Sequence, residues 1–238
     1  MSLGFYTRGP VSLPHPPYPK ATLRLIEAAI AEAWRIIREH PEGDFDMAIA
    51  DEPRITREIR TCLIHQVLDG PTVSGFTSNI FTILPGGVFE SFDGTHLEKR
   101  PDLYFYIERD STTYVLRSVD GLFVECKPVD SGHPAGGDYC DKGIIRFVNG
   151  DYAWALSQAL MIGYASEGYT LPTKLNDALA TRKADLKTKE DANQCSESSA
   201  SGYCQQLHIT VHERNFIYPS IKQKAPPITL RHLWLNRF

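Results

Sequence analysis

Two short apolar runs, LYFYI at 103–107 and GLFVECK at 121–127, constrain the fold of this chain more than any other feature. Each has strand length, and the stretch between them, Glu108 to Asp120, is polar and turn-rich, so the pair reads as an extended hairpin. Each run has one end marked by chemistry: Pro101-Asp102 opens the first, and Glu125-Cys126-Lys127 closes the second. Successive strand residues point to opposite faces, so Glu125 and Lys127 share one face and Cys126 points the other way. Asp102, at the near end of the neighbouring strand, then meets Glu125 across the sheet. Two carboxylates at one point repel unless a cation lies between them, and oxygen-only ligation suits Mg²⁺ or Mn²⁺. The adjacent ammonium of Lys127 can hold a water or a developing anionic oxygen, which outlines a phosphodiesterase site. A surface ion-pair cluster on an ordinary hairpin is the other reading of the same residues.

Asp102 followed by Glu125-Cys126-Lys127, with Pro101 in front, resembles the signature of the PD-(D/E)xK nuclease superfamily. The resemblance covers roughly residues 51 to 165 and a late strand. It implies an α/β, restriction-endonuclease-like fold: an αβββαβ core whose mixed central sheet is flanked by helices, here with an N-terminal helical extension. It also implies that Asp102 and Glu125 ligate Mg²⁺ (or Mn²⁺), joined by the main-chain carbonyl of Cys126 and by Glu52, while Lys127 orients the attacking water. The catalytic set it implies is Asp102, Glu125, Lys127 and Glu52. Glu52 is favoured over Glu58, because Glu52-x-x-Ile55-Thr56 looks like the start of the family's first core helix. The implied activity is metal-dependent phosphodiester hydrolysis, on DNA rather than RNA and by endonuclease rather than exonuclease cleavage, in restriction, repair or phage defence. The alternative is a non-catalytic member of the same fold that binds nucleic acid or protein. Many relatives act as dimers, so a homodimer is an expectation too.

Other classes fit less well. There is no GxxxxGK or GxGxxG phosphate loop, no GxSxG elbow, and no CxxC or Cys/His cluster at zinc spacing. No apolar run approaches the ~20 residues of a membrane span, so no membrane partner is expected. Five cysteines without paired spacing argue against a disulfide framework and for reduced thiols in a cytoplasmic setting. The net charge of −4 gives no overall attraction to nucleic acid, so any contact needs local basic groups.

Along the chain, residues 1–45 read as a Pro-rich arm and a first helix, and 46–238 as the nuclease-like domain. Leu23, Ile26, Ala29, Ile30, Ala33 and Ile37 recur at helical spacing, with Thr22 as a plausible cap; their stripe suits a core or a dimer surface. A second helix starts near Pro53 and ends at Asp69-Gly70-Pro71. Thr77–Leu84 reads as a strand closed by Pro85-Gly86-Gly87. After Lys127 the Gly/Pro-rich PVDSGHPAGGDYCDKG reads as a loop, and GDYAWALSQALMIGYASEG (150–168) as an amphipathic helix that matches the family's second core helix. Lys142, Arg146, Tyr152 and Gln158 near its start are then candidates for contact with a phosphate backbone. Residues 171–203, polar and Ser-rich, read as a mobile insertion, locally basic through Arg182, Lys183, Lys187 and Lys189. Gln205–Phe216 and Ile228–Leu235 alternate as strands. His208 and His212 share a face there, as core histidines or as a metal pair.

Overall fold

Two stretches that lack the apolar–polar alternation of a half-exposed strand, 121–129 and 158–165, become neighbouring parallel strands at the centre of one sheet. Strands buried on both faces need no alternation, because neither side meets water. The computed structural model describes residues 12–95, 98–109, 115–196 and 202–238. Its strands are β1 (Phe81–Pro85), β2 (Leu103–Ile107), β3 (Gly121–Val129), β4 (Gln158–Ala165), β5 (Thr188–Gln194), β6 (His208–His212) and β7 (Ile228–Asn236). They form a mixed seven-stranded sheet in the order β1-β2-β3-β4-β7-β6-β5. β3, β4 and β7 run parallel in the middle, and antiparallel pairs, β1 with β2 and β5 with β6, extend it at either side.

Helices cover both faces, which makes the chain an α/β protein. On one face lie α1 (Lys20–Glu39) and α2 (Glu52–Cys62), the latter continuing into a wider turn, Leu63–Val67. There Trp34 of α1 stacks on Tyr164 at 5.8 Å between ring centres, and Thr56 of α2 shares a 2.8 Å hydrogen bond with the Tyr164 hydroxyl. The stripe Leu23, Ile26, Ala29, Ile30, Ala33 and Ile37 is buried in the same core as the sheet. Pro19, not Thr22, stands at the N-cap of α1. For α2 the Asp51 carboxylate accepts the Arg54 amide at 3.0 Å, and Pro53 sits in the first turn, where no amide is needed.

Two readings of the sequence are corrected. The stretch 150–168 is not a helix: Gln158–Ala165 is β4. Its residues are apolar on every side, a pattern that a fully buried strand and a buried helix satisfy equally. The crossover helix lies one segment earlier, where a loop was expected: wide helical turns over Ala135–Ile144 lead into α3 (Ile145–Asn149), ended by Gly150 at φ +76°. These turns cover the second face, with Tyr139 edge-on to Trp234 at 5.5 Å. The mobile insertion is corrected as well. It holds helical turns Leu171–Leu175, α4 (Asn176–Thr181) and β5, whereas 197–201 lie outside the described residues. β5 is an exposed edge strand, so TKEDANQ needs no apolar alternation and its charges guard the edge.

Candidate active site

The register Leu103↔Val124, continued by one residue, sets Asp102 opposite Glu125. The backbone completes the link: Asp102 N donates to Val124 O at 3.0 Å, and Cys126 N donates to Asp102 Oδ2 at 2.6 Å. Glu52, the first residue of α2, comes to the same end of β3 from the other side of the sheet. Lys127 Nζ stands in their midst, 2.9 Å from Glu125 Oε1, 3.1 Å from Glu52 Oε1 and 3.6 Å from Asp102 Oδ2. It also donates to the Cys126 carbonyl at 2.6 Å. The three acidic side chains and the carbonyl singled out in the sequence therefore meet around the Lys127 ammonium.

Two further groups hold Glu125, and both are among the sequence candidates for contact with a phosphate backbone. Arg146, arriving on α3, lies 3.0 Å from Glu125 Oε1, and the buried Tyr152 hydroxyl donates to Oε2. Tyr152 is wholly buried, which corrects its assignment as a nucleic-acid contact. Gln158 is half-buried at the start of β4, where its Oε1 accepts the Tyr18 amide at 2.7 Å and its amide group donates to Tyr18 O at 3.4 Å, anchoring the N-terminal arm. The Tyr152 assignment follows from reading 150–168 as a helix. Lys142 is exposed and paired with Asp138 at 2.5 Å. Glu58 stays on the flank, paired with Arg57 at 2.9 Å. Arg182, Lys183 and Lys189 are each engaged by an acid: Asp141, Asp191 and Glu213. No spacing in the sequence signalled the roles of Arg146 and Tyr152, since they depend on the crossover's path.

The electrostatics follow from burial. Glu125 is fully enclosed, and burial pushes its carboxyl up to about 7, with the charge of Asp102 adding while Lys127, Arg146 and Tyr152 pull down. Burial also raises Glu52, with Lys127 opposing. Burial works against the charge of Lys127, but Glu125, Asp102 and Glu52 more than offset it, so its ammonium is held above the usual lysine value. Burial raises the Cys126 thiol well above its ordinary value.

Among the described residues, no three His, Cys, Asp or Glu side chains converge closely enough to hold a metal ion, because Lys127 occupies the space between the carboxylates. The donor set is nonetheless the oxygen-only kind that Mg²⁺ or Mn²⁺ takes. Glu125 Oε1, moreover, is buried with no hydrogen bond: both cations approach it within 3.0 Å, yet neither in hydrogen-bonding geometry. A buried carboxylate oxygen held by ion pairs alone, beside two other carboxylates and a carbonyl, is of the donor type that such an ion takes. A cleft of about 480 Å³ leads to the site, lined by Glu52, Lys127, His133, Asp138 and Tyr164 among others. A larger cavity of about 610 Å³ lies elsewhere against α1, and its buried acid, Glu27, is already paired with Arg231. No protein-family model, no curated protein and no solved structure matches the chain.

Proposed function

We propose that the chain is a metal-dependent phosphodiester hydrolase, a nuclease acting on DNA, built on a restriction-endonuclease-like core. One observation carries the reading: Asp102, Glu125, Lys127 and Glu52, from three separate stretches of the sequence, meet at a single point beside a cleft that Glu52 and Lys127 line. The order α2-β1-β2-β3-α3-β4 is the αβββαβ succession that the PD-(D/E)xK resemblance implies, which supports the same reading. Asp102, Glu125, the Cys126 carbonyl and Glu52 would hold Mg²⁺ or Mn²⁺. Bound there, the ion would supply charge neutralisation at the phosphoryl group and a more acidic water. Lys127 would orient that water and meet the charge that develops in the transition state. Tyr152 and Arg146 hold the Glu125 carboxylate in place.

The test is incubation of the wild type and Asp102→Ala with plasmid and single-stranded DNA, with and without Mg²⁺ or Mn²⁺. Cleavage that needs the ion and vanishes with Asp102 is the expected result; DNA left intact by the wild type under every condition counts against it. A second reading, a non-catalytic binder of the same fold, is favoured by the ammonium between the carboxylates. DNA binding without cleavage is its signature.

A further inference from the structure

We propose that His133, oriented by Asp130, is the general acid that hands a proton to the leaving oxygen when a phosphodiester is cut in the cleft. The inference rests on the phosphodiester-hydrolase reading above. β3 carries Glu125 and Lys127 and ends at Val129, and the turn that follows it, 130–133, brings His133 to the cleft that Glu52 and Lys127 line. This turn locks the imidazole. Asp130 Oδ1 accepts from Gly132 N and His133 N, each at 2.8 Å, and pairs with His133 Nδ1 at 3.0 Å. The main chain closes the same turn, with Asp130 N donating to His133 O at 3.1 Å. Burial pushes the Asp130 carboxyl up, but the bonds from His133 and Gly132 outweigh it and hold it below the usual value. Asp130 therefore stays ionised, accepts only, and fixes a proton on Nδ1. His133 Nε2 has no partner among the described residues, and the ring is exposed at the cleft.

The departing alkoxide is strongly basic and needs a proton. Lys127 and Arg146 are committed to carboxylates, and Asp138, which also lines the cleft, is held by Lys142 at 2.5 Å. Imidazole is the side chain whose charge changes most readily near neutral pH. In the step, the water oxygen bonds to phosphorus and its proton passes to solvent. The P–O bond to the leaving group breaks, and the proton on Nε2 passes to the leaving oxygen. The neutral imidazole then regains a proton from solvent.

The test maps where the wild type, with Mn²⁺, cuts plasmid DNA, and then uses two duplex oligonucleotides spanning that position. One has the natural oxygen as leaving atom; the other has sulfur there, a thiolate that departs without a proton. His133→Gln should cut the oxygen duplex at least about a hundredfold more slowly than the wild type does. On the sulfur duplex it should match the wild type within about threefold. Asp130→Asn, which alters a positioning residue, should show a smaller loss of the same kind, again on oxygen alone. Since His133 is exposed, the melting temperature of His133→Gln should equal that of the wild type. Equal losses on the two duplexes, or no loss on oxygen, overturn the inference and leave the phosphodiester-hydrolase reading standing. A sulfur duplex that even the wild type leaves intact does the same, because departure then depends on something other than a proton. If the wild type cuts no DNA under any condition, that reading falls and the inference falls with it.

Discussion

The main-chain amide of Cys126 donates a 2.6 Å hydrogen bond to Asp102 Oδ2, so the strand that carries Glu125 and Lys127 also aims the aspartate opposite them. A backbone donor survives any side-chain change, which lets geometry and charge at Asp102 be separated. Asp102→Asn keeps an acceptor for that amide and loses only the charge; Asp102→Ala loses both and leaves a partly buried donor unpaired. The alanine variant should lose about 1–3 kcal/mol in urea unfolding, and the asparagine variant less than about 1 kcal/mol. Both should lose Mn²⁺ binding and cleavage. Tight Mn²⁺ binding by Asp102→Asn would contradict the role given to this carboxylate.

Gly86 holds Asp102 in place from the other side. A Cβ on Gly86 would stand 1.4 Å from the carbonyl oxygen of Pro101 and 2.6 Å from its carbonyl carbon, backbone atoms that cannot rotate away. Only glycine lets the two chains approach this closely. Gly86→Ala should therefore push Pro101-Asp102 away from β3 and weaken Mn²⁺ binding and cleavage together. Gly87→Ala is the control: its Cβ would come no nearer than 3.6 Å, to the Phe89 ring. If both glycine variants behave alike, the close approach does not position the aspartate.

What the sequence made legible is what local pattern decides. The stripe of α1, the Pro53 start of α2 and the β2–β3 pairing follow from helical spacing, a helix-opening proline and two strand-length runs. Asp102, Glu125, Lys127 and Glu52 came together because short motifs at strand and helix ends stay at those ends when elements pack. What failed was decided by tertiary burial. Ala159–Ala165 is apolar on all sides, so its periodicity could not say strand or helix. Placing the helix there left 128–143 as a loop and put the buried Tyr152 on a surface. The edge strand β5 is polar because its neighbour is water on one side, a fact of position and not of composition.

The pair Glu27–Arg231 fastens α1 to β7 inside the core. Arg231 Nη2 donates to Glu27 Oε2 at 3.0 Å, Nε pairs with Oε1, and both side chains are almost wholly buried. Burial raises the carboxyl of Glu27 while Arg231 pulls it down, so each charge depends on the other. Removing one partner strands a buried charge: Arg231→Met or Glu27→Met alone should cost about 3–5 kcal/mol. The double variant should regain most of that loss, because two apolar chains of similar length fill the space without desolvating any charge. Single losses that simply add in the double variant would show that the two residues act independently.

His212 and His232 sit in a buried chain of hydrogen bonds whose direction is fixed by its last acceptor. Leu186 O accepts from His212 Nδ1 at 3.0 Å, so His212 Nε2 accepts from the Thr210 hydroxyl at 2.8 Å. Thr210 Oγ1, its proton committed, accepts from His232 Nε2 at 2.7 Å, and His232 Nδ1 accepts from Tyr139 at 3.0 Å. Each imidazole is thus a donor at one nitrogen and an acceptor at the other, a neutral arrangement that accounts for both histidines without a metal. Burial lowers His212 from 6.5 to about 4 and drives His232 down as well. The unfolded chain therefore takes up these protons first as pH falls, so stability is full above pH 6.5 and is lost progressively down to about pH 4. His212 alone should remove about 3 kcal/mol across that window. Urea unfolding at several pH values should show a steeper acid loss for the wild type than for His212→Gln, which has no imidazole to protonate. Parallel pH profiles for the two proteins would mean that His212 is not held neutral by its burial.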